Sequence, residues 1–107
     1  MKKFAHLGVV LSEKMDGMMF FESIKCWGTD PSADPVNKIE YLFFEQDSPM
    51  MATPVAHESH VAFQVCDLDA MVANKKCVFG PMEVAPGVKI AFFYDETGLL
   101  TEYNQMG

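Results

Sequence analysis

The chain states one phrase twice. His6-Leu-Gly-Val-Val-Leu11 opens the first half and His60-Val-Ala-Phe-Gln-Val65 opens the second. Further on, Ile39-Glu40-Tyr41 and Thr101-Glu102-Tyr103 each set an acid beside an aromatic inside an apolar run. A sequence that repeats itself in this way is expected to fold as two copies of one small module. A divalent metal needs several imidazole or carboxylate groups converging on one point, and each half offers only two. His6, Glu40, His60 and Glu102 are therefore four candidate ligands.

With 107 residues, half of them hydrophobic, the chain suits one compact domain and is too short for two independent ones. Residues 1–107 are read as a single domain: a first module over about 1–48, a connector over about 49–58 and a second module over about 59–107. No apolar stretch approaches the roughly 18 to 20 residues that span a bilayer, and Met1-Lys-Lys-Phe-Ala-His6 passes directly into strand-like sequence. The expected protein is soluble and cytoplasmic. The net charge of -7 comes from scattered acids with no basic stripe, which argues against a nucleic-acid partner. Cys26, Cys66 and Cys77 are odd in number and form no Cys-x-x-Cys pair, as expected of reduced thiols. No glycine-rich phosphate loop or nucleophile elbow is present, which argues against nucleotide chemistry and serine hydrolysis.

Phe4 to Leu11 reads as a strand, followed by a polar loop through Gly17. Met18 to Trp27 fits a strand or an irregular helix, with strand preferred. Asp30-Pro-Ser-Ala-Asp-Pro35 is a loop, since each proline lacks a donor and pushes its predecessor out of helical space. Lys38 to Glu45 is an aromatic and β-branched strand. Gln46 to Glu58, with Pro49 and Pro54, reads as the connector, and His57 within it as a solvated residue. His60 to Val65 is a strand, and Asp67 is placed to cap a helix from Leu68 to about Lys75, with Lys75 and Lys76 at its negative end. Three strands follow: one from Val78 to Val84 interrupted by a turn at Gly80-Pro81, then Val88 to Tyr94, then Leu99 to Gln105.

These elements, taken together, resemble the vicinal oxygen chelate superfamily of glyoxalases, methylmalonyl-CoA epimerases, extradiol dioxygenases and bleomycin-resistance proteins. The second half carries the resemblance over about 45 residues: His60-Val-Ala-Phe-Gln-Val65, Asp67-Leu-Asp-Ala70, Pro86-Gly-Val88, Ala91-Phe-Phe93, Asp95 to Gly98, and Leu99-Leu-Thr-Glu-Tyr103. In the first half, His6-Leu-Gly8 and Lys38-Ile-Glu-Tyr-Leu42 followed by Asp47-Ser-Pro49 match the first and last strands of an epimerase-type module. The resemblance implies an α+β fold of paired βαβββ modules whose mixed sheet curls around a cavity. It implies His6, Glu40, His60 and Glu102 as ligands of a divalent metal (Ni, Co, Mn, Zn or Fe), with Glu102 or Glu40 doubling as a catalytic base.

From His6 to Glu40 is 34 positions and from His60 to Glu102 is 42, so the first module is shortened and is expected to lack its helix. Sheet left bare by that loss is expected to be covered by a second copy in a homodimer. The function this implies is a glyoxalase-like, metal-dependent lyase, isomerase or epimerase acting on a small carbonyl or thioester through an enediolate. Two alternatives stand beside it: a metal-free small-molecule binder of the bleomycin-resistance type, and an extradiol dioxygenase, whose members are usually much longer. None of these involves a membrane.

Overall fold

Val, Phe and Leu alternating with smaller or polar residues give the first strand, and in the computed structural model, which describes residues 2–107, β1 runs over Lys2–Val10. The other strands are β2 (Met19–Phe21), β3 (Cys26–Gly28), β4 (Ile39–Phe44), β5 (His60–Val65), β6 (Cys77–Ala85), β7 (Val88–Tyr94) and β8 (Leu100–Met106), with one helix, α1 (Leu68–Val72). All eight strands join one sheet in the order β2-β3-β4-β1-β5-β8-β7-β6. Each half follows the same plan, its first strand lying parallel to its last: β1 beside β4, and β5 beside β8. The halves meet where β1 and β5 pair antiparallel, with His6 opposite Ala62 and Gly8 opposite His60. That register relates position 6 to 60 and position 8 to 62 by an internal twofold through Leu7 and Val61.

Strand twist curls the sheet until its two ends meet. Ser23, between β2 and β3, donates its hydroxyl to the Val84 carbonyl of β6 at 2.6 Å, although these strands lie at opposite edges. The concave face holds Leu42, Phe44, Ile90, Phe92 and Leu100, and Met50, Val55 and Ala56 of the connector are packed into the same cluster. The connector is thus part of the core. Ser48 and Thr53 each cap a short 3-10 turn that begins with proline, accepting from Met50 N at 3.1 Å and Val55 N at 3.2 Å, which aims Met50 and Val55 inward. On the opposite face of the second module, Leu68 and Val72 of α1 pack on Val65, Ala91, Phe93 and Tyr103.

Three expectations are corrected. Met18 to Trp27 is a hairpin, since Glu22–Ile24 forms a 3-10 turn, Lys25 adopts φ 47, and Phe20 pairs with Trp27 across β2 and β3. Gly80-Pro81 makes no turn; the register shift between Phe79 and Met82 absorbs the proline inside β6, where a missing donor is tolerated. α1 ends at Val72, short of Lys75, and the Lys75 ammonium lies 4.9 Å from the Phe93 ring centre. Asp67 caps the helix as expected, accepting from Ala70 N at 3.2 Å.

The first module has no helix between its first two strands. No helix covers its outer face, where Leu7, Ile39, Tyr41, Phe43, Trp27 and Phe20 lie side by side across four strands, Leu7 and Phe20 exposed, the other four half-buried and the Lys14 ammonium over the Trp27 ring. No helix among the described residues is long and apolar enough to cross a membrane.

Candidate metal centre

Strand alternation puts His6, Gly8, Glu40, His60, Ala62 and Glu102 on the concave face. The register then aligns Glu40 with Gly8 and Glu102 with Ala62. Parallel first-to-last pairing within each module and antiparallel pairing between them bring all four candidate ligands to the middle of the curl. His60 Nε2 is 2.9 Å from Glu102 Oε1, and His6 Nε2 is 3.5 Å from the same oxygen and 3.2 Å from Glu40 Oε1. The small residues beside the histidines make room for them. A Cβ on Gly8 would fall 2.5 Å from His60 Nε2 and nearer still to Cε1. Gly8→Ala is therefore expected to displace the His60 ring and destabilise the fold by about 1–3 kcal/mol. Urea denaturation checks the stability, and metal titration should show affinity falling more than tenfold; unchanged affinity would mean that His60 is no ligand.

Both histidines and Glu102 are buried, His60 to 3% and Glu102 to 7% exposure, so their charges answer mainly to one another. Burial alone would lower the His6 pKa, but the Glu102 and Glu40 carboxylates outweigh it and raise it to about 10. Burial would raise Glu102, yet His6 and His60 beside it hold its carboxyl down at about 2. His6 Nε2 thus faces a carboxylate oxygen on either side. His6 Nε2 is nonetheless aligned with neither oxygen well enough to hydrogen-bond, and His60 Nδ1 is buried without a partner.

The donor set fits a divalent ion. Ligand atoms at about 2.1 Å from a metal stand roughly 3.0–3.4 Å apart in tetrahedral or octahedral sites. The separations of 2.9, 3.2 and 3.5 Å bracket that range. His6, His60 and Glu102 offer ligand atoms all within 4.8 Å of one another, and Glu40 joins through its contact with His6. Two imidazoles with carboxylates suit Mn, Fe, Co, Ni or Zn without choosing among them.

Beyond these four lies a cavity of about 200 Å³, walled mainly by aliphatic and aromatic side chains. Asn104, two positions past Glu102 and on the same face, is 3% exposed and donates its amide to Glu102 Oε2 at 3.3 Å. Asn104 is not among the residues singled out from the sequence; its shared strand parity with Glu102 is the signal that could have found it. Cys26 also lines the cavity, and burial, with Glu40 nearby, pushes its thiol up to about 12. It is an inert neutral group at ordinary pH. His57 stays outside the cavity, its Nε2 at 2.9 Å from the Met51 carbonyl.

No protein-family model matches the chain, and no curated protein does. Solved structures match its fold end to end. A methylmalonyl-CoA epimerase in complex with methylmalonyl-CoA and NH4+ is 15% identical with a TM-score of 0.62, covering 99% of this chain and 95% of that one. A hypothetical protein from Bacillus halodurans C-125 is 14% identical with a TM-score of 0.61, over 99% and 95%. A methylmalonyl-CoA epimerase from Mycobacterium tuberculosis is 13% identical with a TM-score of 0.60, over 98% and 88%. The chain thus has the paired-module, curled-sheet fold of the vicinal oxygen chelate superfamily, to which those epimerases belong.

Proposed function

We propose that this protein is a metal-dependent enzyme of isomerase or epimerase type that moves a proton on the carbon beside a carbonyl group of a small molecule. The observation that carries this reading is the convergence of His6, Glu40, His60 and Glu102 in the wall of an apolar cavity. The solved epimerases share the fold and support the reaction class. A divalent ion held by His6, His60 and Glu102 would polarise a substrate carbonyl and so acidify the neighbouring C–H, leaving the Glu40 carboxylate beside it. Glu40 is the better base of the two acids. Glu102 is tied by both histidines and by Asn104, and a carboxyl held near pKa 2 is a weak proton acceptor. Glu40 meets only His6 and remains partly open to the cavity, so it is free to take and return a proton.

Metal content of protein purified without chelator, together with deuterium uptake from D2O at the carbon beside the carbonyl across a panel of small carbonyl compounds, tests the reading. Chelator-sensitive uptake is expected. Protein that holds no metal, and gains no stability from Ni, Co, Mn, Zn or Fe, would sink it. That outcome favours a metal-free binding protein, a reading supported by the position of His6 Nε2, which lies within 3.5 Å of a carboxylate oxygen of both acids.

The outer face of the first module, which no helix covers, is the surface we assign to a second copy. Its counterpart in the second module is covered by α1, and the same apolar patch presented by two copies is self-complementary. Sedimentation at micromolar concentration is expected to show a dimer that Leu7→Asp converts to monomer; a monomeric wild type would refute the assignment.

A further inference from the structure

The cavity carries information about charge. The chain's eight cationic residues are all lysines, and none lines the cavity. Its walls, among them Phe21, Leu42, Phe44, Met50, Val55 and Phe92, offer no group that could neutralise a substrate anion. The four-residue centre does not supply a positive charge either. Its two carboxylates match the charge of two protonated imidazoles or of one divalent ion, so the centre holds no excess of positive charge in either form. An anionic substituent entering here would lose its water and gain no counter-charge. The volume of about 200 Å³ lies below the roughly 300–1,000 Å³ of sites for drug-sized ligands.

One polar feature of the wall stands apart from the centre. Asn104 donates its amide N–H to Glu102 Oε2, an accepting carboxylate oxygen, which fixes the amide's orientation. Its Oδ1 is left buried with no partner among the described residues, in a side chain that lines the cavity. A buried acceptor without a donor is costly, and a ligand hydroxyl or N–H placed against it removes that cost.

We infer that the site selects a compact, uncharged carbonyl compound that has an apolar body and a hydroxyl or N–H donor beside the carbonyl, with Asn104 Oδ1 reading the donor. This rests on the small-carbonyl reading proposed above but not on a bound metal. Substrates that bear a free carboxylate or a phosphate near the reacting carbon are excluded by the same walls, which sets this cavity apart from one built for a malonyl-type acid.

Three probes of nearly equal size separate the elements of the claim: 2-hydroxyacetophenone (neutral, with donor), acetophenone (neutral, without donor) and mandelate (donor, but carboxylate). Binding is measured by titration calorimetry to chelator-treated protein at pH 7.5. The hydroxy ketone should bind about tenfold more tightly than acetophenone, and mandelate more than tenfold more weakly than the hydroxy ketone. In Asn104→Leu the hydroxy ketone should lose its advantage over acetophenone while acetophenone binding is kept. If that variant fails to fold, the three-probe ranking on the wild type decides alone. Equal affinity for the two ketones, tighter binding of mandelate, or no saturable binding of any probe would each overturn the inference. A protein that ranks the probes as stated yet takes up no metal would sink the metal-dependent function and leave this inference standing; one that takes up metal but prefers mandelate would do the reverse.

Discussion

Replacing Glu102 with alanine should cost about 3–5 kcal/mol of stability, lower Tm by more than roughly 15 °C, and abolish tight metal binding. Glu102 is the hub of the centre: its Oε1 faces both histidines, and its Oε2 accepts from Asn104. Without it, a protonated His6 remains in a site that holds only Glu40, and the Asn104 amide loses its acceptor in the core. Removing one member of a buried charge cluster is expensive because the partner's charge is left uncompensated, and the total stability of a small domain is only about 5–15 kcal/mol. Glu102→Gln keeps the shape and should fall between alanine and wild type. Glu40→Gln should cost clearly less, since Glu40 touches only His6 and is less buried. The double variant His6→Asn, Glu102→Gln should recover part of the loss by removing the orphaned cation along with its partner. Urea melts and metal titration of the four variants check this ranking. Equal losses for the two glutamates would show that Glu102 is not the hub.

The sequence made the outline of the fold readable because its two halves repeat. His60–Val65 appears as a strand with the expected bounds, and the longer reach from His60 to Glu102 than from His6 to Glu40 marked the missing helix. The convergence of the four candidate ligands depends on alternation and on first-to-last strand pairing, both of which leave a mark on residue spacing. Other features depend on tertiary contacts and leave none. The hairpin between β2 and β3 turns on Lys25 in a left-handed conformation, where a turn signal would lead one to expect glycine. Met50 and Val55 sit in a proline-rich stretch that reads as a linker, and only the curl of the sheet creates the hollow they fill. The proline of Gly80-Pro81 reads as a break, but the bulge that accommodates it within β6 belongs to the pairing with β7. Asn104 has a visible address on the face of Glu102, and its two amide ends acquire meaning only once one of them is seen to be occupied.

The charge arrangement of the centre also sets how the metal-free protein responds to pH. His6 moves from its ordinary 6.5 to about 10 on folding, so the folded state holds that proton more tightly than the unfolded chain does. Its contribution is fully present below about pH 6.5 and is lost as pH rises through 10. Glu102 moves from 4.5 down to about 2, so its contribution is present above about pH 4.5 and is lost as pH falls through 2. Both shifts report the same set of contacts and are not to be added. Together they place greatest stability between about pH 4.5 and 6.5, with an alkaline limb that falls by up to about 1.4 kcal/mol per pH unit for the one proton released on unfolding. Between pH 6.5 and 9 the expected loss is on the order of 3 kcal/mol, measured by urea denaturation of chelator-treated protein. His6→Asn, which keeps a polar side chain but cannot take the proton, should flatten that limb. A divalent ion should reverse it, because the ion competes with the His6 proton and gains affinity as that proton is given up. A wild-type limb no steeper than that of His6→Asn would show that His6 does not carry its proton between the two carboxylates.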